Sequence, residues 1–410
     1  MAGFCTLLSV ALTAQNSTNS PYTRYGYGEL ANRSFGAGRA MGGIGIGLRS
    51  SKQINPMNPA SYTSIDTLTF LFDFGTNLQF SWYKDGTNKQ KDINGNIDYI
   101  AMQFPIHQKV AFSAGLIPFS HVGYNFGQTK TEGNETYLEQ FGGTGGLNLL
   151  YAGLSIDIWK KRLSVGTNIN YLFGSIEHST LVNYSSTAST AVNYTQQFKF
   201  NNALYDFGVQ YTHPLTKSKH LVMGLTFTPK NRMKRDTYET VLSTESVTDT
   251  ISDVAFDLPA SLGIGVSYVS GNQLTIAADY QFQKWNKAVF NGQYDAYKNR
   301  SKVTVGAEYI PVKFSSKKLL SRIRYRAGLS YSDSYIQING KSYQEFGVTT
   351  GLGFPMSDGF PILDAGSFLN VSFEYLHVRP ALKTMINENY FRMTFSFTFN
   401  EFWFFKRKVN

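Results

Sequence analysis

The stretch FRMTFSFTFN near the end of the chain puts Phe391, Met393, Phe395, Phe397 and Phe399 on every second position, with Arg392, Thr394, Ser396, Thr398 and Asn400 between them. A side-chain period of two describes a strand with two unlike faces. The same period recurs in Leu68, Phe70, Phe72 and Phe74, continued by Leu78, Phe80 and Trp82, and again in Ala152, Leu154, Ile156 and Ile158. Further instances run through Leu262, Ile264, Val266 and Tyr268, then Leu274, Ile276, Ala278 and Tyr280, and Leu369, Val371, Phe373 and Tyr375. The alternate positions carry Gly, Ser, Thr, Asn, Gln and charges. A soluble sandwich buries such apolar faces against a second sheet, whereas a membrane barrel turns them to lipid and its polar faces to a lumen.

Composition and the spacing of the segments favour the barrel. Of 410 residues, 15% are aromatic and only 16% are charged, against a usual charged fraction of about 25%. No stretch approaches the roughly 18 continuous apolar residues of a membrane helix. The connections HQK (His107 to Lys109), KKR (Lys160 to Arg162), PLTKSK and SGNQ are short, whereas Ser120 to Gly146, Glu177 to Thr195 and Lys230 to Asp257 are long and polar. Short turns at one end and long loops at the other, over about fourteen segments, predict an all-β transmembrane antiparallel barrel. Both chain ends then lie on the periplasmic side and the long loops are extracellular. The terminal segment closes the barrel, with Phe395, Phe397, Phe399 and Trp403 as membrane anchors and cations just beyond them.

Ahead of the barrel the chain divides twice. MAGFCTLLSVALTA, residues 1–14, reads as a signal peptide, although it lacks a positive n-region. Its Cys5 is the single cysteine of the sequence, so a mature chain has no disulfide. Residues 15–65 are rich in Gly, Asn, Ser and Pro and show no sustained alternation; the barrel occupies 66–410. An irregular segment of that length is uncommon outside functional or disordered regions. It is either a disordered tail or a plug inside the lumen, where its backbone can find partners.

Several stretches resemble one family. GRAMGGIGIGL, NPMNPAS, LPASLGIGVSYVSGNQLTIAADYQFQKW, VGAEYIP, YRAGLSY and ENYFRMTFSFTFNEFWFFKRK, in that order, are similar to the FadL/TodX family of outer-membrane transport proteins in its Bacteroidetes form. The resemblance covers nearly the whole mature chain. It implies a fourteen-stranded barrel, an N-terminal hatch that includes Gly36, Gly38, Gly42, Gly43, Asn58 and Pro59, and passage of hydrophobic small molecules.

Two further groups of residues carry alternative readings. Gly115, Pro118 and Gly123 fall inside an expected membrane strand, and Pro118 removes a ladder donor. They mark either a kink that opens the wall sideways or the rim at which the strand ends. Asp279, Glu308, Arg324, Arg326, Glu374 and Arg392 fall on the polar face, with Asp279 and Glu308 within reach of Arg324 and Arg326. They form either a headgroup site for an anionic ligand or a lumen salt-bridge network.

The net charge of +10 is scattered over turns and loops without stacking aromatics, so no nucleic acid is expected. GAGRAMG lacks the spacing and the strand–helix context of a dinucleotide fingerprint. The six histidines lack ligand spacing, and no nucleophile or paired-carboxylate motif is evident, so neither metal, cofactor nor catalysis is expected. The expected function is passive uptake of a hydrophobic compound such as a long-chain fatty acid, with lateral exit to the bilayer. The alternative is a sealed barrel acting as scaffold or accessory subunit among other outer-membrane proteins. The expected partners are the bilayer and a hydrophobic ligand or detergent.

Overall fold

The computed structural model describes residues 17–402 apart from 87, 134, 186–190, 244–245, 252–254, 272, 294–295, 312–318, 357–365 and 383. The expected signal peptide, Cys5 and Trp403 lie outside the described residues. Fourteen antiparallel strands form one closed sheet. Six come first: β1 (Thr69–Asp85), β2 (Asn88–His107), β3 (Val110–Glu132), β4 (Glu135–Trp159), β5 (Leu163–Tyr184) and β6 (Val192–Pro214). Five short strands follow: β7 (Lys219–Thr228), β8 (Ser261–Ser270), β9 (Leu274–Gln283), β10 (Arg300–Tyr309) and β11 (Arg324–Asp333). The last three are β12 (Tyr343–Met356), β13 (Ser367–Pro380) and β14 (Asn387–Phe402). Pairing of β14 with β1 closes the cylinder, from Asn387↔Lys84 to Phe402↔Thr69.

Pairing of the first strand with the last removes the two terminal edges of the sheet, as crossing a membrane requires. Along β14 the two faces separate as their chemistry requires. Thr394, Ser396, Thr398 and Asn400 are buried inward, while Phe399 is 40% exposed and Phe395 and Phe397 lie half-buried on the outside. Phe399 packs on Phe72 of β1 with ring centroids 6.2 Å apart. Val305, Ile264, Leu225 and Leu154 continue the same outward belt on other strands.

The strands differ in length in a way that the apolar pattern does not reveal. The segments expected as loops, Ser120 to Gly146 and Glu177 to Thr195, are largely strand: β3 and β4 are 23 and 25 residues long, whereas β7 to β11 have 10 each. Within Lys230 to Asp257 a hairpin of Arg235–Leu242 and Ser246–Ile251 adds to β6, with Thr237 opposite Phe198 and Leu242 opposite Asn193. Above the bilayer there is no lipid to demand an apolar face. These extensions are held by the ladder and by polar cross-strand pairs such as Lys130–Glu139 at 2.6 Å and Thr240–Thr248 at 3.2 Å. One side of the barrel thus rises as a tall wall at the loop end.

Candidate functional site

The residues ahead of β1 pack inside the cylinder. Tyr27, Ala40, Asn58, Ala60 and Tyr62 have no exposed surface, and Arg39, Met41, Ile44 and Ile46 are nearly as deep. A short helix, Gly36–Ala40, starts this inner body. The Gly36 amide donates to the Tyr99 hydroxyl (3.0 Å), and Phe35 stacks on the Tyr99 ring at 3.7 Å. The Gly38 carbonyl accepts from Met41, Gly43 and Ile44 and turns the chain back. Gly42 has φ +82°, and a Cβ there would lie 2.9 Å from the Leu329 carbonyl on the wall. Asn58 and Pro59 open a 3-10 helix (Pro59–Ser64). The Asn58 amide donates to the carbonyls of Ile46 (2.9 Å) and of Val209 on β6 (3.3 Å).

Charges attach this segment to strands around the barrel. Arg33 meets Asp206 of β6 at 2.8 Å, Arg39 pairs with Asp98 of β2, and Arg49 reaches Asp157 of β4 at 3.4 Å. In the reverse sense, Glu29 pairs with Arg392 of β14, and the Ser20 hydroxyl donates to Glu388 at 2.8 Å. Asp279 of β9 accepts the amides of Gly45 and Ile46, both at 2.7 Å, and of Gly47 at 3.1 Å. A buried carboxylate with three amide donors is well satisfied without a cation.

Of the six charges expected on the lumen face, five pair among themselves. Glu308 accepts from Arg326 at 2.7 Å and lies 3.6 Å from Arg324; Arg326 also donates to Asn370 at 2.7 Å. Glu374 lies 3.4 Å from Arg392. Asp279 does not meet Arg324 or Arg326, because β10 separates β9 from β11 and the N-terminal amides reach it first. A cavity of about 150 Å³ remains between the inner body and the wall, with Arg300, Lys302, Glu345 and Glu374 among its lining.

The wall itself is split between β2 and β3. Their ladder runs from His107↔Val110 to Ile100↔Leu116 and stops. Beyond it β2 pairs on with β1 and β3 with β4. Gly115 still lies in the paired part, opposite Tyr151 of β4. At Pro118 the β3–β4 register shifts and Phe119 becomes an extra residue, so the strand is bulged and continues to Glu132. The N-terminal segment occupies the split. Glu29 and Leu30 pair with His121 and Ser120, and the Ala31 amide donates to the Phe119 carbonyl at 3.0 Å. The Gly123 amide donates to the Thr23 hydroxyl at 3.1 Å, and Asn96 of β2 donates to the Ser17 carbonyl at 3.1 Å.

At the loop end an aromatic layer covers the lumen. Trp285 stacks on Tyr335 at 4.1 Å, and Tyr27 sits edge-on to Phe290 at 5.0 Å, with Phe256, Phe198 and Phe200 around them. The Tyr335 hydroxyl donates to the Gly28 carbonyl at 2.7 Å, which ties this layer to the N-terminal segment.

The arginines Arg33, Arg39 and Arg49 and the wall acids Asp98, Asp157 and Asp206 were not among the expected site residues. Their signal lies in the sequence nonetheless: three arginines fall within a stretch, Leu30 to Ile65, that contains no acid.

These features define an outer-membrane β-barrel of the FadL-like transporter fold. Three solved structures share it. The toluene transporter TbuX of Ralstonia pickettii is similar with a TM-score of 0.59 and 15% identity, over 90% of this chain and 98% of that one. A FadL homologue of Pseudomonas aeruginosa has a TM-score of 0.59 and 13% identity over 91% and 99%. The P. putida toluene transporter TodX has 0.59 and 15% over 91% and 100%. At these identities the likeness is one of fold. No curated protein matches the chain in sequence. The BamG family matches residues 1–410, and the chain belongs to that family.

Proposed function

We propose that the protein is a sealed outer-membrane barrel that serves as scaffold or accessory subunit of a larger outer-membrane assembly, with the segment before Thr69 acting as a hatch. The observation that carries this reading is the occupied lumen. Sites for small molecules usually enclose about 300–1,000 Å³ lined mainly by apolar groups. The cavity beside the inner body has about 150 Å³ and a charged lining, and the aromatic side chains at the mouth are spent on packing against one another. Membership of the BamG family supports the same reading. Both chain ends belong on the periplasmic side and the tall wall on the cell surface, since an even number of strands returns the ends to one side and such barrels keep their short turns in the periplasm.

A second reading, passive uptake of a hydrophobic compound, is favoured by one feature. Among the described residues it is the N-terminal segment that closes the split at Pro118, and two of the similar structures are toluene transporters. Purification from native membranes in mild detergent, followed by mass spectrometry and planar-bilayer recording, separates the two. A reproducible outer-membrane protein partner together with a silent bilayer is expected. A barrel that purifies alone and supports uptake of a labelled fatty acid or toluene in cells overturns the scaffold.

A further inference from the structure

The outward face of the β1–β2 hairpin changes character abruptly at its loop end. Along β1 the outward column runs Leu78, Phe80, Trp82, Lys84, and along β2 it runs Ile97, Gly95, Ile93, Lys91, Lys89. The register sets Phe80 opposite Ile93, Trp82 opposite Lys91 and Lys84 opposite Lys89. Three exposed ammonium groups therefore sit directly above a lipid-facing apolar column. Trp82 is 37% exposed and Ile93 63% exposed immediately below them.

The neighbouring strands extend the patch and add no acid to it. Asn387 and Asn389 of β14 lie beside Lys84 and Trp82. Next to them on β13 are His377 and Arg379; His377 and Tyr375 are both bonded to Asn389, at 2.8 and 2.9 Å. The nearby acids face the other way. Asp92 stands opposite the buried Ser81 and holds Gln90, and Glu388 stands opposite the buried Tyr83. Asp85 follows Lys84 at the alternate position of β1, and on the outer face of β11 Asp333 lies two strands beyond Arg379, bonded to Tyr331.

Like charges directly opposite one another destabilise a strand pair. Elsewhere on the tall wall Lys130 reaches Glu139, and Lys199 lies over the Tyr238 ring at 4.9 Å with Asp236 opposite it in the register. Lys84, Lys89, Lys91 and Arg379 have no ion-pair partner among the described residues. A cation row without acids, at the level where acyl chains give way to headgroups, is complementary to a lipid that carries anionic charge at that depth.

We propose that Lys84, Lys89 and Lys91, with Arg379, bind the anionic phosphate of a lipid headgroup at the loop end, while the lipid's acyl chains lie along Trp82, Phe80 and Ile93. The outer-leaflet assignment of that lipid rests on the orientation proposed above; the chemistry of the site does not. The test uses the full-length barrel in neutral detergent, titrated with lipid A carrying its phosphates, with dephosphorylated lipid A, and with phosphatidylcholine, and read by native mass spectrometry.

The wild type is expected to bind the phosphorylated lipid in preference to the other two. The Lys84→Gln/Lys89→Gln/Lys91→Gln variant, which lacks three of the cations, is expected to lose roughly a hundredfold in that affinity. Lys109→Gln/Lys160→Gln/Lys161→Gln, at the turn end, serves as a matched change in charge and should bind as wild type, and Lys89→Arg should retain binding. Heat-modifiable mobility checks that each variant is folded. Equal phosphorylated-lipid binding by the wild type and the triple Gln variant overturns the proposal. So does an equal loss in the turn-end variant, and so does a triple variant that keeps the lipid but loses a co-purifying protein. Because binding is read on the single barrel in detergent, the result does not depend on whether the barrel scaffolds or transports.

Discussion

Replacing Arg39 with methionine isolates what holds the N-terminal segment in place. Arg39 pairs with Asp98 on β2 and donates to the Asn32 carbonyl at 2.9 Å, and both charged side chains are less than 10% exposed. Without the guanidinium, Asp98 keeps the amide of Asn77 as its one remaining donor in this pair of strands. Breaking a buried pair by removing one partner costs about 3–5 kcal/mol. At about 1.4 kcal/mol per tenfold, the local opening equilibrium shifts by roughly two to three and a half decades. None of the strand ladder uses Arg39, so the barrel should stay closed. The assay is hydrogen exchange read by mass spectrometry on peptides spanning 36–50, where Gly43 and Ile44 donate to Gly38 and where Gly45, Ile46 and Gly47 donate to Asp279. Exchange there should accelerate by that factor while β9 and β14 keep wild-type protection. The double variant Arg39→Met/Asp98→Leu should regain most of the protection, because no uncompensated charge is left. The reasoning is refuted if exchange over 36–50 is unchanged, or if it rises only in step with the barrel strands.

The face assignment of β14 is tested by Phe395→Arg against Ser396→Arg. The first puts a charge in lipid at a cost of about 2–4 kcal/mol and should sharply lower the heat-modifiable fraction on gels. The second points inward at Gly36, whose Cβ position is 3.2 Å from the Ser396 hydroxyl, so it should leave the barrel formed and loosen the segment. Equal loss of folded barrel from both contradicts the assignment. Deleting residues 36–50 should turn a silent barrel into a conducting one in planar bilayers; a folded, silent deletion variant shows that the segment is not the plug. Pro118→Val gives β3 back a donor at the bulge beside the split. If the split passes ligand, uptake of labelled fatty acid falls at matched surface levels, whereas unchanged uptake removes Pro118 from any route.

The cylinder was legible because lipid imposes a period of two on every strand that touches it, and the outward residues of β8, β9, β13 and β14 are those the alternation picks out. The same reasoning explains what it missed. Above the bilayer, Thr, Asn, Gln and Glu occupy both faces of β3 to β6, so the hydrophobic period vanishes while the hydrogen-bond ladder continues. Glu308 with Arg324 and Arg326 followed from strand adjacency and alternation alone. Asp279 did not, since its partners are backbone amides of a segment more than 230 residues away, and no side-chain pattern reports them. The pairs of Arg33, Arg39 and Arg49 needed a docking geometry that an irregular Gly-rich stretch does not encode locally.

The contacts of the N-terminal segment also set an order of events in assembly. Ser20 bonds Glu388 across 368 residues, and Glu29 pairs with Arg392 across 363. The part of the chain synthesised first therefore finds these partners only when the last strand is present. β14 supplies both this anchor and the seam with β1, so sealing the cylinder and locking its contents are one late step. A nascent barrel stalled before β14 pairs would leave the split beside β3 open and the unpaired edge of β1 exposed. An intermediate arrested before β14 pairs lacks these anchors and should be the species most vulnerable to proteolysis between Ser17 and Leu68.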